Sequence, residues 1–139
     1  MRLAALSDVA LVPDELLAAV AHPRAGGHAL FVGTVRDHDH GQAVTRLAYS
    51  GHPSAEQVIA QVAGEVAATP EVLAVAVAHR VGDLVVGDVA IVAAVSCAHR
   101  GDAFEACREL VEGVKARLPV WKHQVFADGS EEWVGAEGS

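Results

Sequence analysis

Cysteines, aromatic residues and basic residues are all scarce in this sequence. Its 139 residues include two cysteines, Cys97 and Cys107, whose spacing fits no zinc or redox motif and is typical of a reducing compartment. Aromatic residues make up 4% of the chain, so alanine, valine and leucine must fill the core. Ten basic residues are outnumbered by eighteen acidic ones, and the net charge of −8 excludes the broad basic surface that binds nucleic acid.

Long hydrophobic runs and linker sequences are also missing. The longest apolar run, near residues 89–98, is too short to span a membrane, and Asp8 interrupts the N-terminal stretch where a signal peptide would lie. No segment rich in glycine, proline or serine divides the chain. With 52% hydrophobic residues, the sequence predicts a single cytoplasmic domain over residues 1–139, large enough to bury its own core.

Hydrophobic periodicity predicts a mixture of strands and about three helices, with short connections between them. The predicted helices cover 12–23, 53–70 and 102–118. The predicted strands cover 3–7, 26–37, 43–51, 71–83 and 88–100, and residues 120–134 form a final hairpin. Because hairpins and helices are interspersed, the fold class is α+β with antiparallel strands.

Local signals refine this prediction. Residues 26–37 and 43–51 are expected to pair as one hairpin with a long tip. Two helices are expected to begin with capping boxes, formed by Ser54 with Gln57 and by Asp102 with Glu105. The third helix is expected to bury an apolar stripe at helical spacing, consisting of Phe104, Cys107, Val111, Val114 and Leu118.

Both lysines of the chain lie close together, on either side of a proline that ends the third helix. Lys115 lies beside the apolar stripe, where a lysine either extends its amine to water or reaches into a pocket. Lys122 follows Trp121 on an alternating strand, so the two side chains point to opposite faces. Spacing alone leaves Lys122 facing either solvent or a pocket.

Two further groups of residues have the chemistry of a binding site. His99 and Arg100 end an apolar strand and precede a helix, where backbone amides and a guanidinium favour an anion; a solvated strand end is the alternative. The segment DHDHG, residues 37–41, offers carboxylates and imidazoles, but it lacks further ligands at a zinc-binding spacing. It is predicted to be a mobile hairpin tip with no metal.

Several motifs occur together in the order typical of one family. FVGTVRDH, HRVGDLVVGD, SCAHRGDAFEAC, VKARLPVWKHQ and EEWV span about residues Gly27 to Trp133. In this order they resemble the large, catalytic subunit of molybdopterin synthase. The resemblance implies an α/β-hammerhead-like fold with added antiparallel strands, packed against the helices.

The same resemblance implies a function and its partners. Members of the family transfer sulfur to cyclic pyranopterin monophosphate, forming the molybdopterin dithiolene. The sulfur arrives as a thiocarboxylate on the C-terminal Gly-Gly of a ubiquitin-like small subunit. The large subunit is a homodimer within a heterotetramer, and the resemblance implies no resident cofactor, nucleic acid or membrane.

Family motifs assign roles to six residues of this chain. Lys115 and Lys122 match the catalytic lysines, which also bind substrate. Arg36, His99 and Arg100 match substrate-binding residues. A contact with the tail of the partner is implied for one more residue, Phe31.

One position departs from the family pattern. Gln124 stands where the family usually has a glutamate, and a glutamine can form hydrogen bonds but carries no charge. The departure leaves open a non-catalytic binding module that keeps the fold and the groove for the tail of the partner. A metal hydrolase built on DHDHG is a third hypothesis.

Overall fold

The computed structural model describes residues 1–39 and 41–134, which form two β-sheets and three α-helices. The helices are α1 (Pro13–Ala19), α2 (Ala55–Ala67) and α3 (Arg100–Arg117). The strands are β1 (Leu3–Ser7), β2 (Gly27–Thr34), β3 (His38–Asp39), β4 (Gln42–Gly51), β5 (Val72–Arg80), β6 (Gly82–Leu84), β7 (Val89–Cys97), β8 (Val120–Phe126) and β9 (Glu131–Val134). The predicted α+β class and final hairpin are confirmed.

The first sheet has the order β1-β5-β7-β2 and contains the apolar centre of the molecule. Its inner strands β5 and β7 alternate valine and alanine, so one face of the sheet carries larger side chains than the other. Larger side chains such as Val75, Val77 and Val95 pack against α2 and α3. The opposite face is mainly alanine, where Leu16 and Val20 from the α1 region pack. Helices on both faces explain why these strands are continuously hydrophobic.

The second sheet has the order β3-β4-β8-β9, with β6 paired to β4. β8 lies between β4 and β9, antiparallel to both. Pro119 ends α3 and leads directly into β8, so the last turn of the helix and the first residues of this sheet stay close together. The two sheets are therefore joined by the segment that carries both lysines.

The hairpin expected between residues 26–37 and 43–51 is wrong. β2 pairs with β7 along its whole length, from Gly27 opposite Cys97 to Thr34 opposite Val89, and β4 belongs to the other sheet. Proximity along the chain favoured a hairpin of β2 with β4. Instead, β2 pairs over its full length with β7, which is a buried strand. The hairpin that forms is small, and joins β3 to the first residues of β4.

Both expected capping boxes are wrong as well. Ser54 has helical backbone angles, and its hydroxyl lies 2.8 Å from His52 Nδ1 instead of binding the start of α2. α3 begins at Arg100, two residues before the predicted start, and His99 is its N-cap residue without a side-chain cap. Asp102 then lies inside the first turn, where a carboxylate interacts favourably with the helix dipole.

The buried face of α3 differs from the predicted stripe at one residue. Cys107, Val111, Val114 and Leu118 are buried as expected, but Phe104 is 67% exposed. Small side chains at Ala103 and Ala106, together with Leu110, take the inner positions, which permits close packing of the helix on the sheet. None of the helices within residues 1–39 and 41–134 is long and apolar enough to cross a membrane.

The start of α3 lies against the start of β2 with no room for a side chain between them. A Cβ atom on Gly27 would lie 2.9 Å from the Cα of Arg100 and 3.2 Å from the carbonyl carbon of His99. Because both are backbone atoms, they cannot move aside independently. A Cβ on Gly101, one residue further along, would meet nothing within 4 Å.

We therefore expect Gly27→Ala to lower the free energy of unfolding by about 1–3 kcal/mol, the usual cost of overpacking. Gly101→Ala makes the same chemical change on the open side of α3, and should leave stability unchanged or raise it by up to about 1 kcal/mol. Urea denaturation of both variants measures the difference. Equal stabilities would contradict the close approach.

Candidate functional site

A cleft of about 670 Å³ opens where the second sheet meets the ends of β2 and α3. It is more than twice the volume of two other cavities of the described chain, which measure about 300 and 290 Å³. Its wall combines residues of β2, β4, β8, β9 and the last turns of α3 with the short β3 segment. The lining side chains include Phe31, Arg36, His38, Asp39, Leu47, Tyr49, Lys115, Lys122, Gln124, Glu132 and Trp133.

Strand register explains why one face of the second sheet lines the cleft. Tyr49 of β4 lies opposite Lys122 of β8, and Leu47 lies opposite Gln124. On the other side of β8, Gln124 lies opposite Glu132. Side chains alternate between the two faces of a strand, so this set projects to the same side. Lys122 lines the cleft, which resolves the choice left open for it. The preceding residue Trp121 points to the other face of β8 and is 40% exposed.

Lys115 reaches the cleft from the last turns of α3. It follows the buried residues Val111 and Val114, and its own side chain remains exposed. The neighbouring Arg117 points elsewhere and forms an ion pair with Glu65 of α2 at 2.7 Å. This hydrogen bond lowers the pKa of the Glu65 carboxyl. The basic cluster around Pro119 is thus divided between a helix–helix contact and the cleft.

A chain of polar contacts crosses the wall of the cleft beside these lysines. Gln124 is 2% exposed, and its amide donates a hydrogen bond to Oδ2 of Asp39 at 2.5 Å. The other oxygen of Asp39 accepts a hydrogen bond from Arg36 at 3.4 Å. Gln124 stands where the family that the sequence resembles usually has a glutamate, and its side-chain amide is therefore buried and bound to a carboxylate.

A buried histidine lies behind Lys115. His79 packs edge-on against Tyr49, with ring centres 4.9 Å apart, and its Nδ1 donates to the carbonyl oxygen of Arg80 at 2.7 Å. Burial lowers the pKa of His79, as does the positive charge of Lys115, while the bond to Arg80 opposes them. Burial also raises the pKa of Tyr49. Lys115 therefore lies near a pair of aromatic rings, of which Tyr49 lines the cleft.

The charges in the cleft contrast with those of the whole chain. Among the described residues that line it, the cations are Arg36, Lys115 and Lys122, and the carboxylates are Asp39 and Glu132. The chain as a whole carries a net charge of −8. A concave site with a local excess of positive charge attracts a small anion. It also offers donors where negative charge develops in a reaction.

Sequence comparison identifies the family of this chain. A family model described as MoaE protein matches residues 6–117. The chain belongs to the MoaE family. It is also 44% identical to molybdopterin synthase catalytic subunit 1 of Mycobacterium tuberculosis, over 94% of this chain and 88% of the relative. The resemblance inferred from the ordered motifs is confirmed.

Solved structures of the MoaE family have the same fold. Molybdopterin synthase from Staphylococcus aureus matches with a TM-score of 0.86 and 27% identity, over 97% of this chain and 98% of that one. A complex of subunits 1 and 2 of molybdopterin-converting factor from Helicobacter pylori contains a chain that matches with a TM-score of 0.71. That match covers 95% of this chain and 88% of the other at 21% identity, so it supports the fold alone.

Four of the six residues predicted from MoaE family motifs line the cleft, and two do not. Phe31, Arg36, Lys115 and Lys122 come together there. His99 and Arg100 lie exposed at the opposite end of α3. Arg100 and Lys115 are fifteen positions apart in the helix, or about 22 Å along its axis. Within one chain, the His-Arg pair and Lys115 therefore lie at opposite ends of α3.

Sequence reasoning missed several residues of the cleft. Tyr49 and Glu132 are cross-strand neighbours of Lys122 and Gln124, a relation that appears only once the strand register is known. Asp39 belongs to the segment predicted as a hairpin tip. In the described part of the chain, no group of three or more His, Cys, Asp or Glu side chains is arranged to hold a metal ion. His40 of the DHDHG segment lies outside the described residues, so the absence of a metal there stays a prediction.

The lowered pKa of His79 predicts how stability changes with pH. Above its ordinary value of 6.5, the histidine is neutral in both the folded and the unfolded chain. As the pH falls below 6.5, the unfolded chain takes up a proton that the folded chain resists, so the free energy of unfolding declines. For one histidine the decline is at most about 1.4 kcal/mol per pH unit.

His79→Phe keeps an aromatic ring against Tyr49 but cannot titrate. We expect it to lose about 1 kcal/mol at pH 7.5, because the Arg80 carbonyl loses its partner, and to lose less stability than the wild type between pH 7 and pH 5. Urea denaturation across this range compares the two slopes. Parallel curves would show that His79 does not resist protonation in the folded chain.

Proposed function

We propose that this chain is the sulfur-transferring subunit of a molybdopterin synthase and that the cleft around Lys115 and Lys122 is its active site. Its substrate is cyclic pyranopterin monophosphate, and its sulfur donor is the thiocarboxylate of a small, ubiquitin-like partner. The observation that carries the proposal is the convergence of Arg36, Lys115 and Lys122 in one cleft of an acidic chain. Membership of the MoaE family gives the reaction.

The chemistry of the reaction requires a cationic site. The pterin carries a phosphate, and the partner enters with a thiocarboxylate. When sulfur is transferred, an oxygen from water must replace it, so the partner leaves with a carboxylate. Every species is anionic, so fixed cations stabilise both binding and the charge that develops during transfer.

The three cations differ in what they can contribute. Arg36 has a planar guanidinium that suits bidentate binding of phosphate. Lys122 is half-buried on a rigid strand between two neighbours, which favours a fixed electrostatic role. Lys115 is exposed on the last turns of α3, where a flexible amine can follow the reacting atoms. We assign phosphate binding to Arg36, and charge stabilisation at the reacting atoms to the lysines.

The tail of the partner fits the same opening. A C-terminal Gly-Gly segment has no side chains, so it can enter a narrow cleft as an extended chain. Phe31 is exposed at the wall of the cleft and offers an apolar surface for that backbone. The Helicobacter pylori complex contains subunits 1 and 2 of molybdopterin-converting factor, which supports a small-subunit partner for this fold.

A homodimer would give the His-Arg pair a place in the reaction. Arg100 lies about 22 Å along the helix axis from Lys115 of the same chain, so we assign the contact of this pair with substrate to the cleft of a second copy. The exposed apolar residues Leu30, Phe31 and Phe104 support such pairing, since they border a groove of about 290 Å³ between β2 and α3. We therefore place the two copies against each other through this face.

Lys115→Ala tests the catalytic assignment. Because the side chain is exposed and alanine favours helix, stability should change by about 1 kcal/mol or less. If the amine stabilises charge during transfer, single-turnover product formation should fall by roughly a hundredfold or more. The assay uses saturating thiocarboxylated partner and measures the dithiolene product.

Arg117→Ala is the matched control, because it removes a positive charge from the same helix end without lining the cleft. It should retain turnover within about threefold of the wild type. Near-normal turnover by Lys115→Ala would refute its catalytic role. A wild-type chain that binds the partner and makes no product would support the alternative, a non-catalytic binding module.

Removing the last two glycines of the small subunit tests the tail-binding role of the cleft. The truncated partner loses the thiocarboxylate and the segment that enters the cleft, so it should support no product formation and should bind more weakly. Calorimetric titration of the two subunits measures the loss of affinity. Equal affinity of the full-length and truncated partners would place the contact surface elsewhere.

A further inference from the structure

Asp39 links a buried amide to an exposed guanidinium at the edge of the cleft. Its Oδ2 accepts the hydrogen bond from Gln124 at 2.5 Å, and its Oδ1 accepts the one from Arg36 at 3.4 Å. The side chain of Asp39 is 12% exposed, whereas that of Arg36 is 77% exposed. One carboxylate therefore connects a buried group with an exposed one.

The fixed end of this chain of contacts is Gln124. Its side chain is among the largest that are fully buried, and β8 is held by strands on both sides. A buried amide without a partner costs about 1–3 kcal/mol, so there is a strong preference for keeping an acceptor against it. Gln124 thereby holds the carboxylate of Asp39 at one position.

The exposed end is Arg36, which follows the end of β2. A free arginine side chain has about 2 kcal/mol of rotamer entropy to lose on binding. A contact with Asp39 restricts this freedom before a ligand arrives. Since one long hydrogen bond uses only part of the guanidinium, other donors remain for an anion.

We propose that Asp39 is a positioning residue, which orients Arg36 toward an anionic group bound in the cleft and is itself anchored by Gln124. This inference rests on the proposed function, because it takes the phosphate of the pterin as the anion. Asp39 does not contact the reacting atoms. Its contribution is to the geometry of Arg36.

The effect of Asp39→Asn on ligand binding has opposite signs for a positioning residue and for an ordinary nearby charge. A carboxylate in an anion site repels the ligand, so its neutralisation by Asp39→Asn should strengthen binding if Asp39 were only a charge. If Asp39 orients Arg36, the same substitution should weaken binding. The introduced asparagine has one neutral acceptor oxygen, where the carboxylate accepts through both of its charged oxygens, so it should hold Arg36 less firmly.

The experiment measures the Kd of cyclic pyranopterin monophosphate by calorimetry, and KM and kcat with the thiocarboxylated partner. Asp39→Asn should raise Kd and KM about tenfold and change kcat by less than about threefold, as expected when binding geometry is lost. In an Arg36→Ala background, Asp39→Asn should have no weakening effect on binding, since both changes act through the same group.

Asp37→Asn is the matched control. It removes the same charge two residues away, from a side chain that does not line the cleft and that pairs with His38.

Exchanging the acid and the amide gives a second, independent measurement. Gln124→Glu alone brings two carboxylates together in a buried position and should lower the melting temperature. In the double variant Asp39→Asn, Gln124→Glu, the introduced asparagine can donate to the introduced glutamate and still accept from Arg36 through its carbonyl oxygen. The double variant should therefore recover both stability and most of the affinity for the pterin.

Two results would overturn the proposal. One is tighter pterin binding by Asp39→Asn. The other is an undiminished loss of affinity on adding Asp39→Asn to Arg36→Ala, because Asp39 would then act without Arg36. Failure of the proposed function is a different outcome, in which the wild-type chain neither binds the pterin nor turns it over.

Discussion

Burial of β5 and β7 between helices is the interaction on which the rest of the structure depends. These inner strands of the first sheet present valines to α2 and α3 and mainly alanines to α1. Each fully buried valine contributes roughly 1.5–3 kcal/mol, so the valine face fixes the position of α3. With α3 fixed, the end of the helix that carries Lys115 has a fixed place, and Pro119 directs the chain into the second sheet.

The second sheet completes the site through its register. β8 carries Lys122 and Gln124 on one face, and pairing with β4 and β9 adds Tyr49, Leu47 and Glu132 to the same face. A shift by one residue would turn both β8 side chains away from the cleft. The shape of the cleft therefore depends on backbone pairing in the second sheet and on the packing of α3 against the first sheet.

Electrostatics gives the cleft its chemical character. The chain repels anions overall, and at physiological salt concentration its distant charges are screened beyond about 8 Å. A ligand inside the cleft therefore interacts mainly with Arg36, Lys115 and Lys122 and with the acidic residues beside them. Asp39 lowers the net positive charge of the cleft and, in our proposal, orients the guanidinium of Arg36. In our proposal, the His-Arg pair at the far end of α3 takes part in the reaction through the cleft of a second copy.

The sequence by itself determined the α+β class, the inner strands and the family, through hydrophobic periodicity and the order of the motifs. Those signals are local, or depend only on order along the chain. Only the tertiary structure decided that β2 pairs with β7 instead of β4, because that choice compares pairings between distant segments. It also decided that Phe104 is exposed and that His99 and Arg100 lie apart from the lysines. Gln124 and Asp39 show the reason most clearly: they are 85 positions apart, and their hydrogen bond exists only after β4 pairs with both β3 and β8.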